Sequence, residues 1–313
     1  MNRSSERSSP AAIDAGSHPD RRRFVRTAFV GGLAAGSAVA SASGASRSAT
    51  TAERTVAAPR EPGRVRQSIC RWCYGGMPLE ALCALATSIG YGSIELLGEA
   101  EWPVVAAQGL SCAVANGPTT IARGFNRPAH HDDAVREGER LLPLVAAAKI
   151  PQMIVFSGNR DGMSDAEGLR HCAAGLRRLT PLAESLGVTL VMELLNSKVD
   201  HRDYMADRTA WGVALVEEVG SLRFRLLYDI YHMQIMEGDV IRTIRDSAHA
   251  IAHYHTGGVP GRREIDGSQE LNYPAICRAI VETGFTGYLG QEFIPSRDPQ
   301  ASLREAFEIC RGE

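Results

Sequence analysis

Eight short runs of β-branched and aliphatic residues, each followed by a longer segment with helical periodicity, fill the chain from residue 65 onward. The runs predict strands at residues 65–74, 92–97, 111–115, 152–157, 189–195, 224–231, 250–256 and 287–293. The segments predict helices at residues 78–89, 99–108, 129–149, 165–186, 206–219, 238–247, 273–283 and 299–311. Strand then helix, eight times at roughly 30 residues per unit, is the pattern of an α/β protein with a single (β/α)8 TIM barrel. We therefore predict one barrel domain over residues 64–313.

Two doubly wound domains are the competing architecture for this alternation. No Gly-x-Gly-x-x-Gly motif opens a helix after an early strand, as a dinucleotide-binding domain would require. The helix predicted at 165–186 carries one apolar stripe and is followed by Gly187, which is typical of a left-handed helix end. The absence of the dinucleotide-binding motif and the spacing of roughly 30 residues per unit favour the barrel.

The first 45 residues have the organisation of an export signal. The segment Asp20-Arg21-Arg22-Arg23-Phe24-Val25-Arg26 precedes an uncharged stretch of small and apolar residues at 27–44. This arrangement resembles a twin-arginine signal peptide, whose partner is the twin-arginine export machinery. We predict a signal at residues 1–45, a Ser-, Ala- and Pro-rich linker at 46–63, and a periplasmic or extracellular location. A transmembrane anchor or a disordered tail are the alternatives.

Charge is distributed unevenly along the chain and bears on the class of partner. Residues 1–60 carry a net charge of +5, and residues 61–313 carry −7. A nucleic-acid binder needs a basic surface to neutralise phosphates, so the body of the chain is not expected to bind nucleic acid. Small, weakly charged molecules are the better fit.

Seven cysteines occur in the body without an even, closely spaced framework. Cys70-x-x-Cys73 could form half of a redox or zinc site, but no second pair completes it. We expect most of the cysteines to be small buried hydrophobic residues.

Ionisable residues lie at the predicted ends of four consecutive strands: Glu193, Asp229, His255 and Glu292. In a (β/α)8 barrel the carboxyl ends of the strands form the active site. A charge embedded in apolar sequence is costly to bury alone, so a positive group should compensate. Each acid taken singly could instead cap a helix or pair with an arginine. Together, three carboxylates and one imidazole predict a divalent cation, Mg²⁺ or Mn²⁺ before a thiolate-preferring metal.

The segments Tyr228-Asp229-Ile230-Tyr231-His232-Met233-Gln234, His253 through Arg262, and Gly290-Gln291-Glu292-Phe293 resemble the sugar isomerase/epimerase superfamily of xylose isomerase-like TIM barrels. Within it, the likeness is greatest to the hydroxypyruvate isomerase family, with ketose 3-epimerases as near relatives. The resemblance covers residues 65–313 and is strongest after residue 189.

The resemblance implies a role for individual residues. Glu193, Asp229, His255 and Glu292 would bind one divalent metal, Glu193 and Glu292 would form the acid/base pair, and His232 and Arg262 would hold substrate oxygens. One position departs from the pattern, because hydroxypyruvate isomerases often carry Gln where His255 stands, whereas the epimerases carry His. The resemblance therefore does not fix the substrate.

Proton transfer next to a carbonyl needs a base at that carbon and a positive centre for the enediolate, and the predicted residues offer both. We predict a metal-dependent isomerase or epimerase of carbohydrate metabolism that acts on a small sugar or keto acid. The alternatives are a non-catalytic sugar-binding barrel and an endonuclease IV-like metal phosphodiesterase. Isomerisation and epimerisation remain equally open.

Other residues are weaker candidates for substrate contact: Glu95, Trp72 and Asn196. His232 could instead cap a helix or lie at the surface, and Arg262 could instead brace its loop against Glu264 or Asp266. Relatives of this kind are commonly dimers or tetramers, so a homo-oligomer is expected.

Overall fold

The computed structural model describes residues 64–311 of the chain. The predicted export signal and linker at residues 1–63 lie outside the described residues. Within the described part, no helix combines the length and apolarity needed to cross a bilayer. The predicted barrel domain, in contrast, lies almost wholly within this part.

Eight parallel strands form one sheet in the order β2-β1-β8-β7-β6-β5-β4-β3. Their bounds are β1 Arg66–Cys70, β2 Ser93–Glu95, β3 Val114–Ala115, β4 Gln152–Val155, β5 Thr189–Leu194, β6 Phe224–Asp229, β7 Ile251–Thr256 and β8 Tyr288–Gln291. The strands are almost entirely buried, as expected when helices cover the outside of a parallel sheet.

The two edges of this sheet meet between β2 and β3. Parallel bridges join Ser93 to Ser111 and Leu97 to Ala115. The Leu96 amide donates to the Val114 carbonyl oxygen at 2.8 Å across the same seam. These contacts bring the sheet round into a nearly closed barrel, as the strand count predicted.

Helices follow the strands, and the described residues contain nine of them. They are α1 Leu79–Ile89, α2 Trp102–Ala107, α3 Pro128–Ala147, α4 Asp165–Leu186, α5 Thr209–Val219, α6 Ile230–Met236, α7 Val240–Ser247, α8 Tyr273–Glu282 and α9 Pro299–Ile309. Helix α4 has the predicted bounds and stripe. Its first turn is capped by the Ser164 hydroxyl, which accepts from the Glu167 amide, and Gly187 ends it at φ 72°.

The prediction that β1 continues to Tyr74 and β6 to Tyr231 is wrong. Strand β1 ends at Cys70, and Arg71–Tyr74 form a 3-10 turn. Strand β6 ends at Asp229, and α6 follows at once, because the Asp229 carboxylate accepts from the His232 amide at 3.1 Å. A capped helix therefore starts within a continuous apolar run. Strand β8 likewise ends at Gln291, before Phe293.

The seven cysteines pack as the sequence predicted. All are unpaired thiols, and all except the half-buried Cys73 are buried.

Candidate active site

The four predicted ligands converge at the carboxyl ends of β5 to β8. One ligand atom from each of Glu193, Asp229, His255 and Glu292 lies within 4.8 Å of the others. All four side chains are buried. The structure therefore brings together, from segments separated by up to a hundred residues, the set that strand ends alone suggested.

Strand register places Asp229 and His255 side by side, whereas Glu193 pairs with Leu227, two residues before Asp229. Asp229 is the last residue of β6 and pairs with His255 on β7, and His255 pairs with Gly290 on β8. Glu292 follows β8 directly. Because neighbouring parallel strands leave the barrel at the same end, their exit residues face a common centre.

Glu95, on β2, lies behind His255. Its Oε1 atom is 2.7 Å from His255 Nε2 and 2.8 Å from His253 Nε2. Burial disfavours the carboxylate, but the two imidazoles outweigh burial and hold the pKa of Glu95 below its ordinary value. An ionised carboxylate accepts only, so His255 carries its proton on Nε2 and points Nδ1 toward the other three ligands.

Gly290 makes room for this pair. A Cβ atom at this position would lie 2.5 Å from Glu95 Oε1 and 2.8 Å from His255 Cδ2. Any larger residue would push apart the carboxylate and the imidazole. The contact between Glu95 and His255 therefore requires glycine at position 290.

The donor set fits a divalent cation. His255 Nδ1 lies 2.7 Å from Glu292 Oε2 and 3.3 Å from Glu193 Oε1. Burial lowers the pKa of His255, but Cys70, Glu292 and Glu193 outweigh burial and raise it well above its ordinary value. Nδ1 therefore holds a proton toward the two carboxylates, and a divalent cation would take the place of that proton. Three oxygen ligands and one imidazole are the chemistry that Mg²⁺ or Mn²⁺ accepts.

Charge leads to the same conclusion. Arg262 places Nη2 at 2.8 Å from Asp229 Oδ2 and also bonds Glu292 Oε2. Four carboxyl groups, Glu95, Glu193, Asp229 and Glu292, face one guanidinium and one imidazole in a buried centre. A divalent ion would offset this excess of acidic groups, whereas an unpaired buried charge costs several kcal/mol.

The carboxyl groups differ in their proton affinity. Burial, followed by repulsion from Glu292, raises the pKa of Glu193. Burial also raises the pKa of Asp229 well above its ordinary value, although Arg262 opposes it. At Glu292, Arg262 and His255 outweigh burial and hold the pKa well below its ordinary value. Glu292 is therefore ionised while Glu193 retains affinity for a proton.

His232 and Arg262 are in direct contact. Arg262 Nη1 lies 2.6 Å from His232 Nε2, and Asn196 Nδ2 lies 2.6 Å from His232 Nδ1. Burial and Arg262 hold the pKa of His232 well below its ordinary value, so the ring is neutral. His232 belongs to the first turn of α6 and is buried, not in the mouth of a loop as the sequence suggested.

Asn196 acts behind His232. Its Oδ1 accepts from the amides of Val199 and Asp200, and its Nδ2 donates to Asp200 Oδ2 at 2.7 Å. The side chain is fully buried and is not among the residues that line the cavity. Its contacts position His232 and the loop after β5.

One prediction was that Arg262 braces its loop against Glu264 or Asp266. The structure shows no such contact among the described residues. Glu264 is instead bound by the amide and hydroxyl of Ser296 at 2.8 Å each and by the Ser302 hydroxyl. Gly261, at φ 89°, turns the loop so that Arg262 returns to the barrel centre.

Trp72 covers Glu292 from the 3-10 turn after β1. Its Nε1 donates to Glu292 Oε1 at 2.6 Å, and the indole remains 47% exposed. Trp72 and Arg262 also line a cavity of about 420 Å³ at this end of the barrel. Two residues that bond Glu292 therefore line a space that a small molecule could enter.

His253 also belongs to this centre, although the sequence analysis did not single it out as a candidate. It is two residues before His255, and alternate residues of a strand face the same side, so the signal was present. Its bond to Glu95 places a second imidazole one layer deeper in the barrel.

Substitution of Glu95 by Gln is expected to weaken binding of a divalent cation about 10–100-fold. The amide would no longer fix the Nε2 proton on His255, so Nδ1 would be less available as a ligand. Calorimetric titration with Mn²⁺ measures the change. Glu264→Gln, the same replacement at a buried carboxylate outside the centre, is the control. Equal affinities in both variants would contradict this role for Glu95.

The model of the family described as xylose isomerase-like TIM barrel matches residues 83–312. Over 143 residues the chain is 34% identical to a 2-oxo-tetronate isomerase from Cupriavidus necator, covering 45% of this chain and 54% of that protein. Over 248 residues it is 33% identical to a human protein provisionally named hydroxypyruvate isomerase, covering 72% and 87%. The chain thus spans about half the length of the first relative and most of the second.

Among solved structures, a family 2 AP endonuclease from Brucella melitensis aligns with a TM-score of 0.70 at 22% identity. The alignment covers 76% of this chain and 96% of that chain. At this identity the likeness concerns the fold alone.

Proposed function

Because the chain belongs to the xylose isomerase-like TIM barrel family, we propose that it is an isomerase or epimerase that moves a proton on the carbon beside a carbonyl group. The names of the two curated relatives, an isomerase of a keto acid in each case, support this reaction class. The substrate would be a small sugar or keto acid, converted through an enediolate.

One observation carries the assignment of the acid/base pair. Glu193 and Glu292 keep 4% and 3% of their surface exposed, whereas Asp229 and His255 are fully buried. A group that exchanges a proton with substrate must reach it, and a group that only holds a cation need not.

The side chains around this pair have separate tasks. Glu292, kept ionised by Arg262, would remove the proton, and Glu193 would return one to the neighbouring carbon or to the opposite face. The remaining Arg262 donor would orient a substrate oxygen, and the neutral His232, whose two ring nitrogens contact Arg262 and Asn196, would hold Arg262 in position. Trp72 would limit the access of water to Glu292, since its indole covers one carboxylate oxygen.

Glu193, Asp229, His255 and Glu292 would hold one divalent metal, with Mg²⁺ or Mn²⁺ favoured by the oxygen-rich donor set. When bound, the cation supplies a Lewis acid that polarises the substrate carbonyl. Glu95 and His253 would fix the orientation of the one imidazole ligand.

Export through the twin-arginine pathway to the periplasm or beyond is part of the proposal. It rests on the arginine-rich segment at residues 20–26 and the uncharged stretch that follows it. A homo-oligomer is also part of the proposal, because barrels of this kind are commonly dimers or tetramers.

The endonuclease alternative is less well supported. In the described part of the chain, the two further groups of possible ligands both share His255 with the first, so they do not form a separate metal cluster. The net charge of −7 over residues 61–313 also opposes DNA binding.

Solvent deuterium exchange tests the proposal. The full chain, loaded with Mg²⁺ in D₂O, is expected to place deuterium on the carbon beside the carbonyl of at least one keto sugar or keto acid, as read by mass spectrometry. A non-catalytic sugar-binding barrel would bind such compounds without exchange. Lack of exchange into every compound tested would contradict the proposed function.

A further inference from the structure

The cavity beside Glu292 differs in chemistry from one built for a keto acid. We propose that the substrate of this chain is an uncharged keto sugar of hexose size or larger, not a three- or four-carbon keto acid or a sugar phosphate. This inference rests on the proposed function and narrows it.

Apolar side chains form most of the cavity wall. They are Trp72, Val199, Ile235, Val259, Pro260 and Ile294. Of these, Trp72 is 47% and Val199 63% exposed, so carbon surface faces the entrance. A carboxylate or phosphate placed against this wall would lose its hydration without a partner. The C–H face of a sugar ring would instead pack on the indole.

Arg262 is the one arginine or lysine among the described residues that line the cavity, and its donors are already engaged. Nε donates to the Glu292 carbonyl oxygen at 3.0 Å, Nη1 contacts His232, and Nη2 bonds both Asp229 and Glu292. Of its five N–H groups, one remains. A bidentate bond to a substrate carboxylate would require Arg262 to release the proposed base.

Lys198 and His201 are the other basic side chains near the entrance, and Lys198 is not among the described residues that line the cavity. Lys198 donates to the carbonyl oxygens of Ile235 and Met236 at 2.9 and 3.0 Å, at the end of α6. Burial, followed by Arg262, lowers the pKa of His201, which therefore stays neutral. Asp200, which also lines the cavity, is an acid and repels anions.

The volume of the cavity favours the same class of substrate as its lining does. At about 420 Å³ it falls within the range of pockets that enclose whole small-molecule ligands, ~300–1,000 Å³. A three-carbon acid would leave most of this space to water, whereas a hexose fills more of it and reaches Trp72 and Val199.

Matched substrates test the proposal. Deuterium exchange is compared for D-fructose, D-tagatose and 3-keto-D-glucose, for the 6-phosphate of each, and for hydroxypyruvate. We expect kcat/KM for the best neutral sugar to exceed that of its 6-phosphate and of hydroxypyruvate by about 100-fold. Faster exchange into hydroxypyruvate or a phosphate would overturn the inference and leave the proposed function intact. Exchange into none of the seven would count against the proposed function itself.

A charge added to the wall gives a second test. Val199→Lys places an ammonium group at the entrance, so we expect the ratio of kcat/KM for the phosphate to that for the neutral sugar to rise about tenfold at low salt. The rise should shrink at 0.5 M NaCl. Leu222→Lys, at an 80% exposed position before β6, is the control and should leave the ratio unchanged. An unchanged ratio in Val199→Lys would contradict the claim that charge at this wall selects the substrate.

Discussion

Substitution of Glu292 by Gln is expected to lower the rate of deuterium exchange into substrate about 10³-fold. The amide keeps the size of the carboxylate and retains an oxygen for Trp72 Nε1 or Arg262, so the barrel should remain folded. It cannot take up a proton at neutral pH. The loss should therefore fall on kcat more than on KM, as measured by mass spectrometry across substrate concentrations.

Two further variants make the comparison sharper. Glu193→Gln should give a similar loss of net conversion, because the second proton transfer fails. Glu264→Gln alters a buried carboxylate held by Ser296 and Ser302 and should keep exchange within a few-fold of the original. Circular dichroism confirms folding in each case. Exchange in Glu292→Gln at the original rate would remove Glu292 from the role of base.

Removal of divalent cations is expected to abolish exchange and to lower the midpoint of thermal unfolding by about 10 °C. At a cation concentration of 1,000 times Kd, binding stabilises the folded state by ~4 kcal/mol. For a domain of this size, each kcal/mol shifts the midpoint by ~2–4 °C. Dialysis against EDTA, followed by calorimetry with and without added Mg²⁺ or Mn²⁺, measures both effects.

The cation effect should depend on pH in one direction. Burial raises the pKa of Glu193 and Asp229, so both take up protons as the pH falls and compete with the metal. The increase in the thermal unfolding midpoint that Mn²⁺ produces should therefore become smaller toward acidic pH. The variant Asp229→Asn should lose most of the gain, and Glu264→Gln should keep it. A cation-independent midpoint in the unmodified chain would contradict the metal centre.

The architecture was accessible from the sequence because its signals are local. Each strand is an apolar run bounded by polar residues, and α4 carries both its apolar stripe and its terminal Gly187. The predicted strand ends were wrong where a helix begins directly after a strand. At Asp229 the apolar run continues into Ile230 and Tyr231, and only the bond from the His232 amide to the Asp229 carboxylate marks the change.

The four ligands were accessible for a different reason. Parallel strands in a barrel leave at one end, so residues at equal height meet even though they are distant in the chain. The contacts that surround these ligands could not be predicted from the sequence. That Glu95 bonds His253 and His255, or that Gly290 leaves space for them, depends on packing across the interior, which no local pattern records.

The side-by-side placement of β1 and β8 has a consequence for how the molecule matures. Trp72 follows the first strand and Glu292 the last, yet the two side chains touch, so this contact forms only after β8 has paired with β1. Pairing between segments so far apart in the chain is a slow event. A growing polypeptide on the ribosome would carry every part of the first seven strands and still lack a working centre.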